Sequence, residues 1–85
     1  MPQPIDVVEM FKQAAMQVDN RRLPDLKSDT VISSLGMDSV AVMELVSYFE
    51  EKLNVRIPDE ELSRIRTVKD LRDTIARLAP DKQFA

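Results

Sequence analysis

The residues best suited to chemistry are Asp38 and Ser39, which follow the only glycine of the chain, Gly36. Glycine adopts a positive φ at no steric cost and therefore suits a sharp turn, and Asp and Ser both favour helix starts. The apolar periodicity over 40–53 predicts a helix directly after them. The pattern predicts a serine hydroxyl at the positive end of a helix, where a phosphate ester is stabilised. A serine that only caps the helix is the structural alternative, and this dipeptide alone favours the cap.

Composition narrows the chemistry that the chain can perform. The 85 residues form one domain and include no Cys and no His. That composition excludes disulfides, thiolate nucleophiles, histidine acid–base catalysis and zinc sites built from those ligands. A thiol that acts here must come from an attached cofactor. Catalysis by carboxylates or Lys is still possible, but the chain is short for a catalytic cleft, and we expect a non-catalytic protein without a metal site.

The predicted location follows from the same composition. The sequence has no apolar run long enough for a membrane span and no signal-like start. We expect a cytoplasmic, monomeric protein. The initial Met with the short tail 81–85 fits a free-standing protein, and a fragment of a larger synthase would look similar.

Charge is unevenly distributed along the chain. Residues 38–61 contain seven acidic residues against two basic ones, a net charge of −5 within a total of −3. A local acidic surface favours basic protein partners, although a merely solvated face is the simpler interpretation of composition alone. Basic residues are scattered among acids and do not cluster with aromatic residues, so a nucleic-acid partner is not expected.

Apolar spacing predicts an all-α, small four-helix bundle formed by a single domain over 1–85. Stripes of apolar residues at three- and four-residue intervals predict four helices, of which three are long and the third in chain order is short. Their expected spans are about 5–18, 39–53, 59–65 and 68–78. Pro2 and Pro4 lie at the N-terminus, and Pro4 is placed in the first helical turn. The irregular segment between the first two helices predicts a long ordered loop pinned by Leu23, Leu26, Val31, Ile32 and Leu35.

The second helix carries the clearest core stripe. Its inner face is predicted to contain Leu45 and the row Val42, Val46, Phe49 and Leu53. The run 53–57 alternates, but without a partner strand it is interpreted as an extended connection. Leu62 and Ile65 are expected to point inward from the short third helix. Thr67 and Asp70 have the spacing of a capping box at the start of the last helix.

These motifs together resemble an acyl carrier protein. The resemblance is strongest over 35–68 and rests on five segments: Leu35-Gly36-Met37-Asp38-Ser39-Val40, Glu44-Leu45-Val46, Glu50-Glu51, Ile57-Pro58-Asp59-Glu60-Glu61 and Thr67-Val68. It implies a four-helix bundle in which a phosphopantetheinyl transferase moves 4′-phosphopantetheine from coenzyme A onto Ser39, with Mg²⁺ on the transferase. The thiol of that arm would hold acyl groups as thioesters and present them to an acyltransferase, a ketosynthase or other biosynthetic enzymes with basic docking patches.

The resemblance also implies roles for the neighbours of Ser39. Asp38 would help the transferase bind and place the serine, and a helix cap is its alternative role. An acidic face on the second helix would meet Arg and Lys of partner enzymes, with apolar contacts near the serine. The partner-binding candidates are Val40, Met43, Glu44, Ser47, Glu50 and Glu51. A core position is the alternative for Met43, and solvated neutrality is the alternative for each single acid.

Departures from the acidic fatty-acid carriers favour a polyketide or specialised-metabolite carrier. They comprise uncharged, basic or altered apolar residues: Met37, Val40, Ala41, Ser47, Lys52 and Arg56. Asp38 favours acyl over aminoacyl cargo, because peptidyl carriers usually have another residue there. The second functional hypothesis is an unmodified helical interaction module whose acidic face binds a basic protein and whose Ser39 is only a cap.

Overall fold

The computed structural model describes residues 4–85, so Pro2 lies outside the described residues. Four α-helices follow one another: α1 (Val7–Asp19), α2 (Ser39–Leu53), α3 (Asp59–Leu62) and α4 (Val68–Leu78). A single 3₁₀ turn, Ile32–Leu35, precedes α2. Over residues 4–85 the β-type pairing consists of isolated bridges, Ile5 with Phe84 and Val31 with Thr67. The predicted all-α bundle is confirmed, and no helix in this range has the length and apolarity to cross a membrane.

Helix α1 begins two residues later than predicted. The carboxylate of Asp6 accepts a hydrogen bond from the Glu9 amide at 3.2 Å, which makes Asp6 the N-cap. Ile5 is extended instead of helical, because its backbone pairs with the C-terminal tail. Its N–H donates to the Gln83 carbonyl at 2.8 Å, and its carbonyl accepts from the Ala85 amide at 2.9 Å. The placement of Pro4 in the first helical turn is therefore wrong.

Helix α3 is shorter than the predicted span of 59–65 and ends at Leu62. The following amides bond three residues back, Arg64 to Glu61 and Ile65 to Leu62, so the chain tightens into turns. The Ser63 hydroxyl also donates to the Glu60 carbonyl at 2.9 Å and competes for a helical acceptor. Leu62 and Ile65 still pack against the core, each partly buried.

Helix α4 begins with the predicted capping box. Thr67 accepts from the Asp70 amide at 3.1 Å, and the Asp70 carboxylate accepts from the Thr67 amide at 3.1 Å. A further hydrogen bond comes from the Arg66 amide, and these backbone donors lower the pKa of Asp70 from its usual value. The cap of α4 is therefore formed by neighbouring residues, as its sequence predicts.

The long loop before α2 is tied to the start of α4. The Ile32 amide donates to the Arg66 carbonyl at 2.8 Å, and the Lys69 amide donates to the Ser28 carbonyl at 2.7 Å. Leu26 is buried, as predicted, whereas the Val31 side chain is exposed and this residue ties the loop through its backbone bridge to Thr67. The other three predicted anchors are partly buried against the core: Leu23, Ile32 and Leu35.

The core is centred on the contact between α1 and α2. Phe11 and Phe49 are both fully buried, with ring centroids 6.3 Å apart and planes tilted by 52°. Of the predicted α2 stripe, Val42 is only partly buried, and the others are buried as expected: Leu45, Val46, Phe49 and Leu53. The inner face of α2 is therefore the predicted face, with its edge at Val42.

Phe49→Ala should lower the free energy of unfolding by about 3–5 kcal/mol, because it leaves a large cavity against Phe11. In so small a domain this is much of the total stability. Urea or thermal unfolding measures the change. Val40→Ala removes an exposed side chain and serves as the control, with an expected change within about 0.5 kcal/mol. A Phe49→Ala midpoint close to that of the wild type would contradict the assigned core.

Candidate functional site

The backbone before α2 makes a sharp turn at Gly36. The 3₁₀ turn ends at Leu35, and Gly36 follows with φ 76° and ψ 13°, in the left-handed region. A residue with a Cβ is strained in that conformation, which explains the glycine. Met37 then turns inward and is buried, whereas Asp38 and Ser39 are exposed. The turn therefore anchors one residue in the core and presents the next two to solvent.

Asp38 is the N-cap of α2. Its carboxylate accepts from the Ala41 amide at 2.8 Å, and its carbonyl accepts from the Val42 amide at 3.0 Å. Ser39 is already the first helical residue, so the alternative in which Ser39 caps the helix is wrong. The extended backbone of Asp38 (ψ 174°) places its short carboxylate over the first turn. Ser39 is left with an exposed side chain.

The surroundings of Ser39 fit a phosphodiester. The side chain lies at the N-terminus of a helix of 15 residues, where backbone N–H groups and the helix dipole favour an anion. Ser39 also lies between two open surface grooves. One runs toward α1, and the other runs toward α3 and is bordered by Val31, Ile65 and Arg66. Open surface therefore lies on both sides of Ser39.

The α1-side groove contains most of the predicted partner-binding residues. Val40 and Met43 are 65% and 49% exposed, so the core alternative for Met43 is wrong. Glu44, Ser47 and Glu51 are exposed in the same groove. The structure thus brings an apolar pair, two carboxylates and Ser39 together on the outer face of α2.

Glu50 has a different environment from the other predicted partner-binding residues. Its side chain is partly buried, and its carboxylate accepts from the Ile57 amide at 2.8 Å. This bond holds the extended connection that follows α2. Ala41 also differs from the sequence expectation, because it is buried. Its lack of charge therefore has no bearing on the outer face of α2, whereas the exposed Ser47 does lie on that face.

Sequence reasoning missed the contribution of α1 to the groove. Gln17 and Val18, near the end of α1, line it together with Tyr48 of α2. The Lys52 ammonium lies 5.5 Å from the centre of the Tyr48 ring, a cation–π contact beside the carboxylates. Val18 is partly buried against the core and also borders this groove.

The third helix contributes fewer free carboxylates than its sequence suggests. Arg77 of α4 donates to both carboxylate oxygens of Glu61, and this hydrogen bonding lowers the pKa of Glu61 from its usual value. Asp59 and Glu60 are exposed. In the described part of the chain, no group of three or more acidic side chains is arranged to hold a metal ion.

A small apolar cavity of about 80 Å³ lies between α2 and α3. Its lining includes Val42, Met43, Leu62 and Ile65. Its walls explain why Val42 is only partly buried, since the side chain borders an opening instead of close-packed core. Met43 borders both this cavity and the α1-side groove.

The family model for the phosphopantetheine attachment site matches residues 9–75, which is most of the chain. The chain belongs to the acyl carrier protein family. The carrier holds acyl intermediates on a covalently attached 4′-phosphopantetheine, whose thiol forms the thioester, and it works with biosynthetic enzymes. The unmodified interaction module is not favoured.

Known acyl carrier proteins are similar to this chain over most of its length. The acyl carrier protein of Helicobacter hepaticus is 52% identical over 68 residues, which cover 79% of this chain and 90% of that protein. The anthracycline acyl carrier protein DauA of Streptomyces sp. is 37% identical over 65 residues, covering 74% and 77%. The crystal structure of the acyl carrier protein from Thermotoga maritima has a TM-score of 0.80 and 33% identity, with 88% of each chain covered.

Two substitutions separate the capping role of Asp38 from its charge. Asp38→Ala should lower the free energy of unfolding by about 1 kcal/mol through loss of the cap, whereas Asp38→Asn keeps an acceptor and most of the stability. If the transferase recognises the charge of Asp38, it should transfer 4′-phosphopantetheine to both variants more slowly than to the wild type. Thermal unfolding and loading rates are the measurements. Wild-type loading of Asp38→Asn would contradict a recognition role for the carboxylate.

Proposed function

We propose that Ser39 is the residue that carries 4′-phosphopantetheine. The main support is its exposed position as the first residue of α2, directly after the Gly36 turn and beside the Asp38 cap. In the loading reaction the Ser39 hydroxyl oxygen bonds to the pantetheine-bearing phosphorus of coenzyme A, and adenosine 3′,5′-bisphosphate leaves. The chain contributes the hydroxyl and its placement, and the transferase supplies the metal ion and the base.

The carrier itself is proposed to catalyse nothing. It has no Cys or His, and its carboxylates serve as caps, as ion-pair partners or as exposed surface. Its role is to present cargo to a phosphopantetheinyl transferase first and to acyltransferases and ketosynthases afterwards. Its cytoplasmic location, its monomeric state and its extent as one domain over 1–85 stay predictions from the sequence.

The proposed docking face for these enzymes is the outer surface of α2 with the end of α1. Its centre is the exposed apolar pair Val40 and Met43, and its charged edge is formed by Glu44 and Glu51. An apolar centre with a charged rim is the usual anatomy of a protein interface. Glu50 contributes less, because its carboxylate already accepts the Ile57 amide.

We assign the carrier to polyketide or specialised-metabolite biosynthesis. Similarity to the anthracycline carrier DauA supports this assignment. Ser47 supports it too, because this exposed position in the middle of the docking face has no charge. Lys52, held over Tyr48, adds a positive charge at the edge of the same face. A fatty-acid role is the competing assignment, supported by the greater identity to the Helicobacter carrier.

Ser39→Ala should abolish loading without altering the fold. Incubation with coenzyme A, Mg²⁺ and a broad-specificity phosphopantetheinyl transferase should add one phosphopantetheine to the wild type and none to the variant, as measured by intact-protein mass. The unfolding free energy should change by less than about 0.5 kcal/mol, because Ser39 is exposed and is not the cap. Ser28→Ala, at an exposed serine of the loop that lines neither groove beside Ser39, is the matched control and should load fully. Loading of Ser39→Ala would refute the assignment.

Replacing the two carboxylates of the docking face should slow encounter with a basic partner. In Glu44→Gln/Glu51→Gln, kcat/KM for loading by the same transferase should fall about two- to tenfold at low salt, and the difference should shrink as salt screens the charges. Asp73→Asn/Asp81→Asn removes the same charge from exposed positions in and after α4 and should load normally. Equal loss in both double variants would show that net charge, not this face, is recognised.

A further inference from the structure

Arg21 links the end of α1 to the turn that precedes Ser39. Its guanidinium donates from Nη1 to the Leu35 carbonyl at 3.1 Å and from Nε to the Asp19 carboxylate at 3.0 Å. We propose that Arg21 is a positioning residue for the attachment site, one that holds Ser39 in register with α1 while partner enzymes act on it. The inference rests on the proposed modification of Ser39.

Arg21 is bonded to α1 through both its backbone and its side chain. The backbone reverses at Asn20, the C-cap of α1, in the left-handed conformation, and the Arg21 amide donates to the Ala15 carbonyl at 3.2 Å. Asp19, the last residue of α1, then orients the guanidinium through its carboxylate. Backbone and side chain of Arg21 are thus both attached to α1. The hydrogen bond to Leu35 therefore ties the later turn to a rigid element.

The acceptor of the Arg21 hydrogen bond, the Leu35 carbonyl, lies directly before the turn that leads to Ser39. Leu35 is the last residue of the 3₁₀ turn, and carbonyls at such a helix end need a partner outside the helix. Gly36, in its left-handed conformation, follows directly, and a Cβ built on it would lie 3.6 Å from Arg21 Nη1. The guanidinium therefore packs over the glycine that turns the chain toward Ser39. Loss of the contact frees the Leu35 carbonyl at the start of that turn.

The position of Ser39 relative to α1 affects how a partner enzyme docks. The groove beside Ser39 has Gln17 and Val18 on its α1 side, just before Asp19. An enzyme that contacts this groove and reacts at Ser39 requires both at a fixed separation, because small misplacements of a reacting group reduce rates strongly. Arg is suited to the task, since its planar fork binds two acceptors at once, and the single ammonium of Lys does not reproduce that geometry.

The test compares Arg21→Met and Arg21→Lys with the wild type. The control is Arg22→Met, which removes the same charge from the neighbouring exposed residue. Transferase-catalysed loading from coenzyme A is followed by mass, so that kcat and KM are obtained separately. Amide hydrogen exchange is measured at Gly36 and Met37. All rates are taken well below the unfolding temperature of every variant, so that loss of folded protein does not enter.

Both Arg21 variants should reduce kcat for loading about three- to tenfold, with a smaller effect on KM. Exchange at Gly36 and Met37 should become faster, while Arg22→Met matches the wild type in both measurements. A residue with a merely structural role would lower the unfolding temperature and leave kcat unchanged, and that result would overturn the inference. Full recovery by Arg21→Lys, or an effect on KM alone, would indicate direct charge recognition by the transferase and would also overturn it.

Failure of this inference is distinguishable from failure of the proposed function. If the wild type is loaded on Ser39 and Arg21→Met is loaded with the same kcat and the same exchange, only the role of Arg21 is refuted. If the wild type gains no phosphopantetheine at Ser39, the proposed attachment site fails, and the role of Arg21 fails with it.

Discussion

The contact between Phe11 and Phe49 is the interaction on which the rest of the structure depends. Both rings are fully buried, and together they hold α2 against α1. A domain of this size has a small core and little stability to spare, so one face of α2 must remain inside. The opposite face of α2 then lies outside the core. It carries Val40 and Met43 in solvent, where apolar side chains are useful to a partner.

The proposed attachment site, Ser39, depends on three local constraints that meet at one turn. Gly36 permits the left-handed backbone, Met37 anchors the chain in the core, and Asp38 caps α2. These roles leave Ser39 with no structural task, which is what a residue that accepts a large group requires. Arg21 adds the long-range part, since it joins this turn to α1 through the Leu35 carbonyl.

Local sequence patterns predicted those features whose cause lies within a few residues. The Thr67 capping box, the span of α2 and the buried position of Phe49 all follow from spacing and side-chain type. The patterns gave wrong or missing predictions where the backbone forms hydrogen bonds with segments far along the chain. Ile5 has helical periodicity, yet the C-terminal tail claims its backbone groups. The 3₁₀ turn before Gly36 escaped prediction because it is a single turn whose backbone is tied to Arg66, far along the chain.

The sequence by itself determined the helical class of the chain and the place of Ser39 at the start of α2, because the Gly36-Met37-Asp38-Ser39 motif and the apolar periodicities are local. Only the tertiary structure decided which carboxylates are free for partners. Glu50 accepts the Ile57 amide and Glu61 pairs with Arg77, whereas Glu44 and Glu51 stay exposed beside Ser39. The physical reason is that a carboxylate's availability depends on the donors that folding brings to it, and those donors come from elements that spacing along one helix does not reveal.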